Sequence, residues 1–201
     1  MNNNAITRLF LVRHGPTHAK SMVGWSDLPA DLSDSAALRR LSAALPEDAL
    51  VVSSGLSRAA DTASAIQGDR ARLPHLPDLR EIHFGEWELR TWKDIDAEDP
   101  ERIRAYWETP GDVRPTGGES WNEVCARVDQ AIDDLIEAHR GRNLIVVGHF
   151  GQILTQIQRA ERLTAEEAFS HRIDNLSVTE IHHVPGDGTD GWRAGKINHL
   201  P

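Results

Sequence analysis

The sequence contains a single cysteine, Cys125, which excludes an internal disulfide and a zinc-type cysteine cluster. It has no apolar run near the roughly 20 residues that a membrane-spanning helix needs. Basic residues are outnumbered by acidic ones, 22 to 31, and the net charge of −9 disfavours a nucleic-acid partner held by a basic surface. The opening residues, MNNNAIT, lack the basic start and apolar core of a signal peptide. The sequence therefore predicts a cytoplasmic protein with neither a nucleic-acid partner nor a membrane partner.

Cys125 itself lies beside an apolar stripe of helical spacing in the segment WNEVCARVDQAIDDLI. A small thiol in that position packs as an apolar side chain. We therefore predict that Cys125 is a buried structural thiol and not a nucleophile.

The order of apolar patterns along the 201 residues predicts one α/β domain over residues 1–201. Predicted strands cover 6–12, 49–54, 143–148, 175–184 and 191–200, and predicted helices cover 34–45, 57–66, 119–139, 152–160 and 164–169. Strands that alternate with helices indicate a three-layer αβα architecture, with a mostly parallel central sheet and helices on both faces. The last two strands are predicted to form an antiparallel pair joined by a Gly/Asp turn.

Residues 81–119 are irregular and rich in tryptophan and charge, with short helices predicted around 91–97 and 100–107. We predict that this segment is a helical and loop insertion over one edge of the sheet. It contains Trp87, Trp92 and Trp107, together with Tyr106. A small core under a long loop is the favoured interpretation of these aromatic residues, and an apolar wall against the substrate is the alternative.

Chemically unusual residues follow three of the predicted strands. Arg13 and His14 come directly after the first strand, Arg58 lies in the first turn of the helix after the second, and His149 follows the third. Ligands of open α/β sheets bind beyond the carboxyl ends of the strands, where helix N-termini also favour anions. Two arginines beside two histidines would repel a metal cation, whereas guanidinium groups bind phosphate well. The residues alone thus predict a phosphate-binding α/β protein without a metal or cofactor.

Six segments together resemble the histidine phosphatase superfamily, which includes the cofactor-dependent phosphoglycerate mutases. They are VRHG (12–15), GWSDLPADLS (24–33), SSGLSRAADTA (53–63), LREIHFGEWE (79–88), GGES (117–120) and VVGHFG (146–151). The resemblance extends over nearly the whole chain and keeps the order of these segments.

The resemblance implies a role for five catalytic residues. His14 would be the nucleophile that takes the phosphoryl group, and Glu81 would protonate the leaving alcohol and later activate water. Arg13, Arg58 and His149 would bind the phosphoryl oxygens. Physical chemistry agrees with these roles, because nearby arginines keep an imidazole neutral and donors around a phosphoryl group stabilise its transfer.

The neighbours of these residues are predicted to bind substrate. Thr17 matches a pocket position of the family, and Gly15 and Phe150 adjoin the two histidines. Lys20 stands where the family often has asparagine. It either adds a cation to the pocket mouth or is an ordinary surface lysine.

The predicted function is a metal-independent phosphomonoesterase that hydrolyses small phosphorylated metabolites. Its expected ligands are a small phosphate ester and inorganic phosphate. The alternatives are an α-ribazole phosphatase specifically, a phosphoglycerate mutase, or a non-catalytic module that binds a phosphorylated ligand. The stretch WKDIDAEDPE is short and acidic, which disfavours the mutase, although Arg102, Arg104 and Arg114 keep it open. The sequence leaves the oligomeric state undecided, with a homodimer as one alternative.

Overall fold

A computed structural model describes residues 5–186 and 191–201 of the chain. Within them, five strands form one sheet: β1 (Thr7–Arg13), β2 (Leu50–Ser53), β3 (Asn143–Gly148), β4 (Val178–His183) and β5 (Trp192–Ala194). The order across the sheet is β2-β3-β1-β4-β5. β1 and β2 each pair in parallel with β3, and β4 pairs in the antiparallel sense with both β1 and β5. Four of these five strands therefore run in one direction, which confirms the predicted mostly parallel sheet and its antiparallel closing pair.

Seven α-helices accompany the strands in the described residues. They are α1 (Ser35–Ala44), α2 (Ser57–Ile66), α3 (Trp92–Glu98), α4 (Pro100–Glu108), α5 (Trp121–Ala138), α6 (Phe150–Glu161) and α7 (Ala165–Phe169). Local sequence explains where several begin. The Asp34 side chain accepts from the Ala37 amide at the start of α1, and Ser120 and Glu123 form a capping box at the start of α5.

The two faces of the sheet are covered by different helices. Leu9, Leu11 and Leu144 pack on the face covered by α5 and α6. Val12 and Val147 point to the opposite face and pack against α1 and α2. Since successive side chains of a strand alternate between faces, continuous apolar strands such as β1 and β3 require helices on both sides. The three-layer αβα prediction is confirmed.

The segment 81–119 leaves the sheet and contributes a 3₁₀ turn (Gly85–Trp87), α3 and α4. Trp87 and Tyr106 are buried, and their rings meet edge to face with centroids 5.4 Å apart. Both belong to the main core that also contains Leu9, so they do not form the separate small core that the sequence suggested. Trp92 differs from them, because 44% of its surface is exposed.

Cys125 is half-buried and free, not fully buried as predicted, because it sits on the flank of α5 beside the apolar stripe. Burial still raises the pKa of its thiol to about 12, which agrees with an unreactive side chain. The predicted Gly/Asp turn between the last two strands falls largely on residues 187–190, outside the described residues.

No helix in the described part of the chain combines the length and the apolar character that a membrane crossing requires.

Candidate active site

The register of three parallel strands brings the predicted histidines together. Arg13 at the end of β1 is paired with Gly148 at the end of β3, so His14 and His149 emerge side by side. Their ring centroids are 5.2 Å apart. β2 flanks β3 on its other side and delivers Ser54, whose hydroxyl oxygen lies 2.7 Å from Nε2 of His149. Residues far apart in sequence thus meet at one edge of the sheet, as expected for an open α/β fold.

The His14 ring is held in one tautomer by two contacts. Its Nδ1 lies 2.6 Å from the carbonyl oxygen of Gly15, which can only accept, so Nδ1 carries the hydrogen. Nε2 accepts from Nε of Arg58 at 3.2 Å. The imidazole is therefore neutral, and the lone pair of Nε2 points at the arginine.

Burial and charge both keep His14 neutral. The side chain is 6% exposed, and burial lowers its pKa to about 3. The positive charges of Arg58 and Arg13 contribute to this lowering of the pKa, while the bond to Gly15 opposes it. With a pKa of about 3, the imidazole is unprotonated at neutral pH.

The backbone around His14 is fixed by side chains from other elements. The Gly15 amide donates to Oγ1 of Thr62 at 2.9 Å, and the Asn175 side-chain amide donates to the His14 carbonyl at 2.8 Å. The amide of His14 donates to the Gly148 carbonyl at 3.0 Å. This loop is consequently rigid, which suits a reacting group.

Arg58 is almost completely buried, at 1% exposure, in the first turn of α2. Its Nη2 donates to the Gly24 carbonyl at 2.6 Å, and its Nη1 donates to the Ser26 carbonyl at 2.9 Å. Burial lowers the pKa of the guanidinium, although the nearby Glu81 carboxyl counteracts this. Because a guanidinium stays protonated in proteins, Arg58 is a fixed cation beside Nε2 of His14.

Arg13 supplies a second cation from the end of β1. Its Nη1 donates to the Ile173 carbonyl at 2.6 Å, and its guanidinium carbon lies 5.5 Å from the centre of the Phe150 ring. Its Nε is buried and has no hydrogen-bond partner among the described residues. Nδ1 of the buried His149 also lacks one. These two buried nitrogens lie where Arg13 and Arg58 supply positive charge, so they are suited to bind an anion.

Glu81 comes from an irregular segment and reaches the same cluster. Its Oε1 accepts from the Ile82 amide at 3.0 Å and from the Gly151 amide in the first turn of α6 at 2.9 Å. A Cβ atom at position 151 would lie 2.5 Å from Oε1, so only glycine allows this approach. Because both amides bind Oε1, a proton on the carboxyl belongs on Oε2.

Burial raises the pKa of Glu81 above its usual range. The two amide bonds and the charges of Arg58 and Arg13 oppose this rise without cancelling it. A carboxyl that is protonated more readily than usual can act as a proton donor, as the sequence predicted. The contacts with Ile82 and Gly151 could not be anticipated from spacing alone.

The contact between Ser54 and His149 is a testable feature of the site. If the hydroxyl donates to Nε2, the hydrogen of the neutral imidazole stays on Nδ1, where it can be donated to an anion. We expect Ser54→Ala to lower kcat for phosphate release about tenfold, since an unpaired buried nitrogen costs roughly 1–3 kcal/mol. Steady-state kinetics would measure this.

Ser53→Ala is the matched control, because Ser53 is equally buried but contacts His75 and Arg72. Equal losses of kcat in the two variants would show that Ser54 has no special connection with the site.

The remaining predicted site residues differ in position. Gly15 is buried and Phe150 is half-buried beside Arg13, while Thr17 is half-buried. Lys20 is exposed, and no hydrogen bond or ion pair to it is seen within residues 5–186 and 191–201. The structure thus brings Gly15 and Phe150 next to the arginine and histidine cluster, and places Lys20 at the surface.

Supporting residues were missed from the sequence although they lie in the recognised segments. Glu88 accepts from the amides of Gly24, Trp25 and Ser26 at 2.7 to 3.3 Å, and so shapes the loop that holds Arg58. Trp25 donates from Nε1 to the Glu81 carbonyl at 2.8 Å. The sequence signal for these residues was the joint presence of GWSD and FGEWE. That signal does not identify which atoms are in contact.

The cluster is suited to an oxyanion with several charges. Its donors are guanidinium and imidazole groups, and its one carboxyl is disposed to be neutral. In the described residues no three His, Cys, Asp or Glu side chains come together as a metal site.

Comparisons with known proteins agree with this chemistry. The sequence model of the histidine phosphatase superfamily (branch 1) matches residues 9–193. The adenosylcobalamin/alpha-ribazole phosphatase of Escherichia coli (strain K12) is 33% identical over 175 residues, covering 83% of this chain and 85% of that protein.

Solved structures are similar over nearly the whole chain. Bacillus stearothermophilus YhfR superposes with a TM-score of 0.87 at 27% identity, covering 97% of this chain and 98% of that one. The complex of mycobacterial glucosyl-3-phosphoglycerate phosphatase with inorganic phosphate superposes with a TM-score of 0.79 at 26% identity, covering 96% and 97%. That neighbour binds phosphate on the same fold.

Proposed function

The chain belongs to the histidine phosphatase superfamily as a phosphoric monoester hydrolase, and we propose that it hydrolyses small phosphorylated metabolites through a phosphohistidine on His14. The observation that carries this proposal is the neutral His14 ring, with Nδ1–H bound to the Gly15 carbonyl and the Nε2 lone pair facing Arg58. This arrangement makes Nε2 the nucleophilic atom.

In the first step, the Nε2 lone pair attacks phosphorus and the bond to the ester oxygen breaks. Arg58 transfers its hydrogen bond from Nε2 to a phosphoryl oxygen, and Arg13 and Nδ1–H of His149 bind the others. Oε2 of Glu81 gives its proton to the departing alkoxide, which leaves as an alcohol. The phosphoryl charge is thus balanced throughout by fixed donors.

In the second step, the Glu81 carboxylate takes a proton from water while the water oxygen attacks phosphorus. The bond between phosphorus and Nε2 breaks, which releases inorganic phosphate and restores neutral His14. Glu81 ends protonated, so the site returns to its starting state. Neither displacement requires a metal ion, because the arginines supply the positive charge.

Hydrolysis is favoured over phosphoglycerate mutase activity by the arginines of the segment after Glu81. Arg102 pairs with Asp99, Arg104 pairs with Asp96, and Arg114 pairs with Glu123 at N–O distances of 2.8 to 3.1 Å. Arginines that are already paired with carboxylates on the surface are poorly placed to bind the carboxylate of a phosphoglycerate. The presence of both His14 and Glu81 likewise disfavours a module that only binds its ligand.

An α-ribazole phosphatase is the second, narrower candidate. Its support is the 33% identity with the Escherichia coli protein of that name. The contacts described above concern the phosphate and the leaving-group oxygen, so the organic group of the substrate has to be identified by experiment.

We expect phosphate release from phosphomonoesters in the presence of EDTA, with one class of substrate clearly preferred. The panel would contain nucleotides, sugar phosphates, phosphoglycerates and α-ribazole phosphate, assayed for inorganic phosphate. Release that disappears on chelation would contradict the metal-free mechanism. No release from any member, with interconversion of 2- and 3-phosphoglycerate instead, would replace the hydrolase by a mutase.

A further inference from the structure

The backbone that presents Glu81 has little regular structure to hold it. Glu81 lies between two 3₁₀ turns, Pro77–Leu79 and Gly85–Trp87. Buried carbonyl groups in such a segment need partners from elsewhere. The position of a carboxyl that must reach a leaving group within hydrogen-bond distance therefore depends on those partners.

Arg127 on α5 supplies most of these partners. Its Nη1 donates to the carbonyls of Asp78 and Arg80 at 2.8 and 3.1 Å, and its Nη2 donates to the carbonyl of Glu81 at 3.2 Å. One guanidinium thus binds three carbonyls in the four residues that end at Glu81. The planar fork of arginine permits this, and the ammonium of lysine does not reproduce it.

Glu119 fixes the orientation of that fork. Its Oε1 and Oε2 accept from Nε and Nη2 of Arg127, both at 2.7 Å. Oε2 also accepts from the amide of His83 at 2.9 Å, so the same carboxylate holds the chain on the other side of Glu81. The two side chains are only 14% and 19% exposed.

Burial distinguishes this ion pair from the surface pairs of the segment. Arg104 and Asp96, for example, are 55% and 30% exposed. A desolvated pair contributes little net stability, because the loss of hydration offsets the attraction. Its geometry has a different consequence, which is to fix the backbone on both sides of one catalytic carboxyl.

Trp25 adds a further contact to the same carbonyl. Its Nε1 donates to the Glu81 carbonyl that Arg127 also binds, and its ring lies 5.9 Å from the Arg127 guanidinium carbon. Its neighbours Gly24 and Ser26 provide the carbonyls that hold Arg58. The segment 24–26 therefore holds both Glu81, through the Trp25 indole, and Arg58, through the carbonyls of Gly24 and Ser26.

We propose that Arg127 and Glu119 form a clamp that positions Glu81 for proton transfer, with Arg127 as a positioning residue that does not touch the substrate. The inference rests on the proposed function for Glu81. When the clamp is lost, the Glu81 carboxyl can rotate and become hydrated. Its pKa then falls toward that of an ordinary glutamate. The rate of proton transfer to a poor leaving group then falls, while the affinity for phosphate is unchanged.

The variant Arg127→Lys tests the clamp, because it keeps the charge and loses the fork. The matched control is Arg70→Lys. Arg70 is also buried and also binds a set of backbone carbonyls, those of Pro46, Ile66, Gln67, Ser42 and Leu45, away from the cluster. Thermal unfolding of both variants shows how much each substitution affects the fold.

The first measurement needs no turnover. In a ¹³C NMR titration of labelled glutamate carboxyls, the Glu81 signal is assigned by its loss in Glu81→Gln. We expect its midpoint to fall by about one pH unit in Arg127→Lys and to stay unchanged in Arg70→Lys. An unchanged midpoint in Arg127→Lys would overturn the clamp, whether or not the wild-type protein hydrolyses esters.

The second measurement is the dependence on leaving group. We expect kcat of Arg127→Lys to fall about tenfold more with an alkyl phosphate than with nitrophenyl phosphate, at little change in KM. Equal losses with both esters would assign Arg127 a merely structural role. Absence of turnover in the wild type would instead contradict the proposed function and leave the NMR result to decide the clamp.

If Arg127→Lys does not fold, Glu119→Gln decides the question in both measurements. It keeps the size of the side chain and removes the carboxylate that orients the Arg127 fork. The same fall in midpoint and the same selective loss with the alkyl ester are expected, and their absence would overturn the proposal.

Discussion

Replacement of His14 by alanine is expected to abolish phosphate release and to leave the fold intact. The substitution removes Nε2, the atom that attacks phosphorus in the proposed mechanism, so we expect kcat to fall by at least about 10³-fold. The folded protein loses two buried hydrogen bonds, to the Gly15 carbonyl and from Nε of Arg58, at a cost of about 1 kcal/mol each in the free energy of unfolding. Phosphate release and thermal unfolding measure the two effects separately.

A histidine away from the cluster provides the control for this variant. His139 follows the last residue of α5, and His139→Ala should retain the activity of the wild type. Rapid quenching of the wild type should trap a phosphoryl group on the peptide that contains His14. Residual activity of His14→Ala above a few per cent would contradict its role as nucleophile.

The second large effect concerns Glu81→Gln, which keeps the size of the side chain and removes its proton. General acid catalysis contributes about 10²–10⁴-fold, and we expect a loss of this size with alkyl phosphates. Nitrophenyl phosphate should lose much less, because its leaving group departs without a proton. Kinetics on both esters measure the difference, and equal losses would remove the acid role from Glu81.

The pH dependence of Glu81→Gln follows from the raised pKa of Glu81. The wild-type carboxyl is protonated below that pKa and can donate, so kcat with alkyl phosphates should decline as the pH rises through it. This alkaline decline should be missing in Glu81→Gln and preserved in Glu86→Gln, whose side chain is exposed in the next turn. His14, with a pKa of about 3, should not limit kcat on the acid side above that pH.

Local sequence was sufficient for the elements that depend on local interactions. Helix α2 was predicted at its observed bounds, because its apolar spacing and the following Gly68 are local signals. Strands β1 and β3 were predicted because a continuous apolar run must be covered on both faces. The unusual residues directly after these strands then placed the anion site at the carboxyl edge of the sheet.

Contacts between distant segments could not be obtained in that way. Arg127 is separated by 46 residues from the Glu81 carbonyl that it binds, and Ser54 by 95 residues from the His149 ring. In the sequence, Arg127 is one more charged residue on an amphipathic helix. Its significance appears only when α5 packs beside the irregular segment that contains Glu81.

The layers of the fold and the chemical groups at the edge of the sheet follow from the sequence alone, because strand periodicity and strand ends are properties of short segments. The protonation states of those groups depend on the folded structure. The hydrogen on Nδ1 of His14 follows from its contacts with Gly15 and Arg58, and the raised pKa of Glu81 follows from its burial. Desolvation and hydrogen bonding depend on every segment that surrounds a group, so they exist only once the chain has folded.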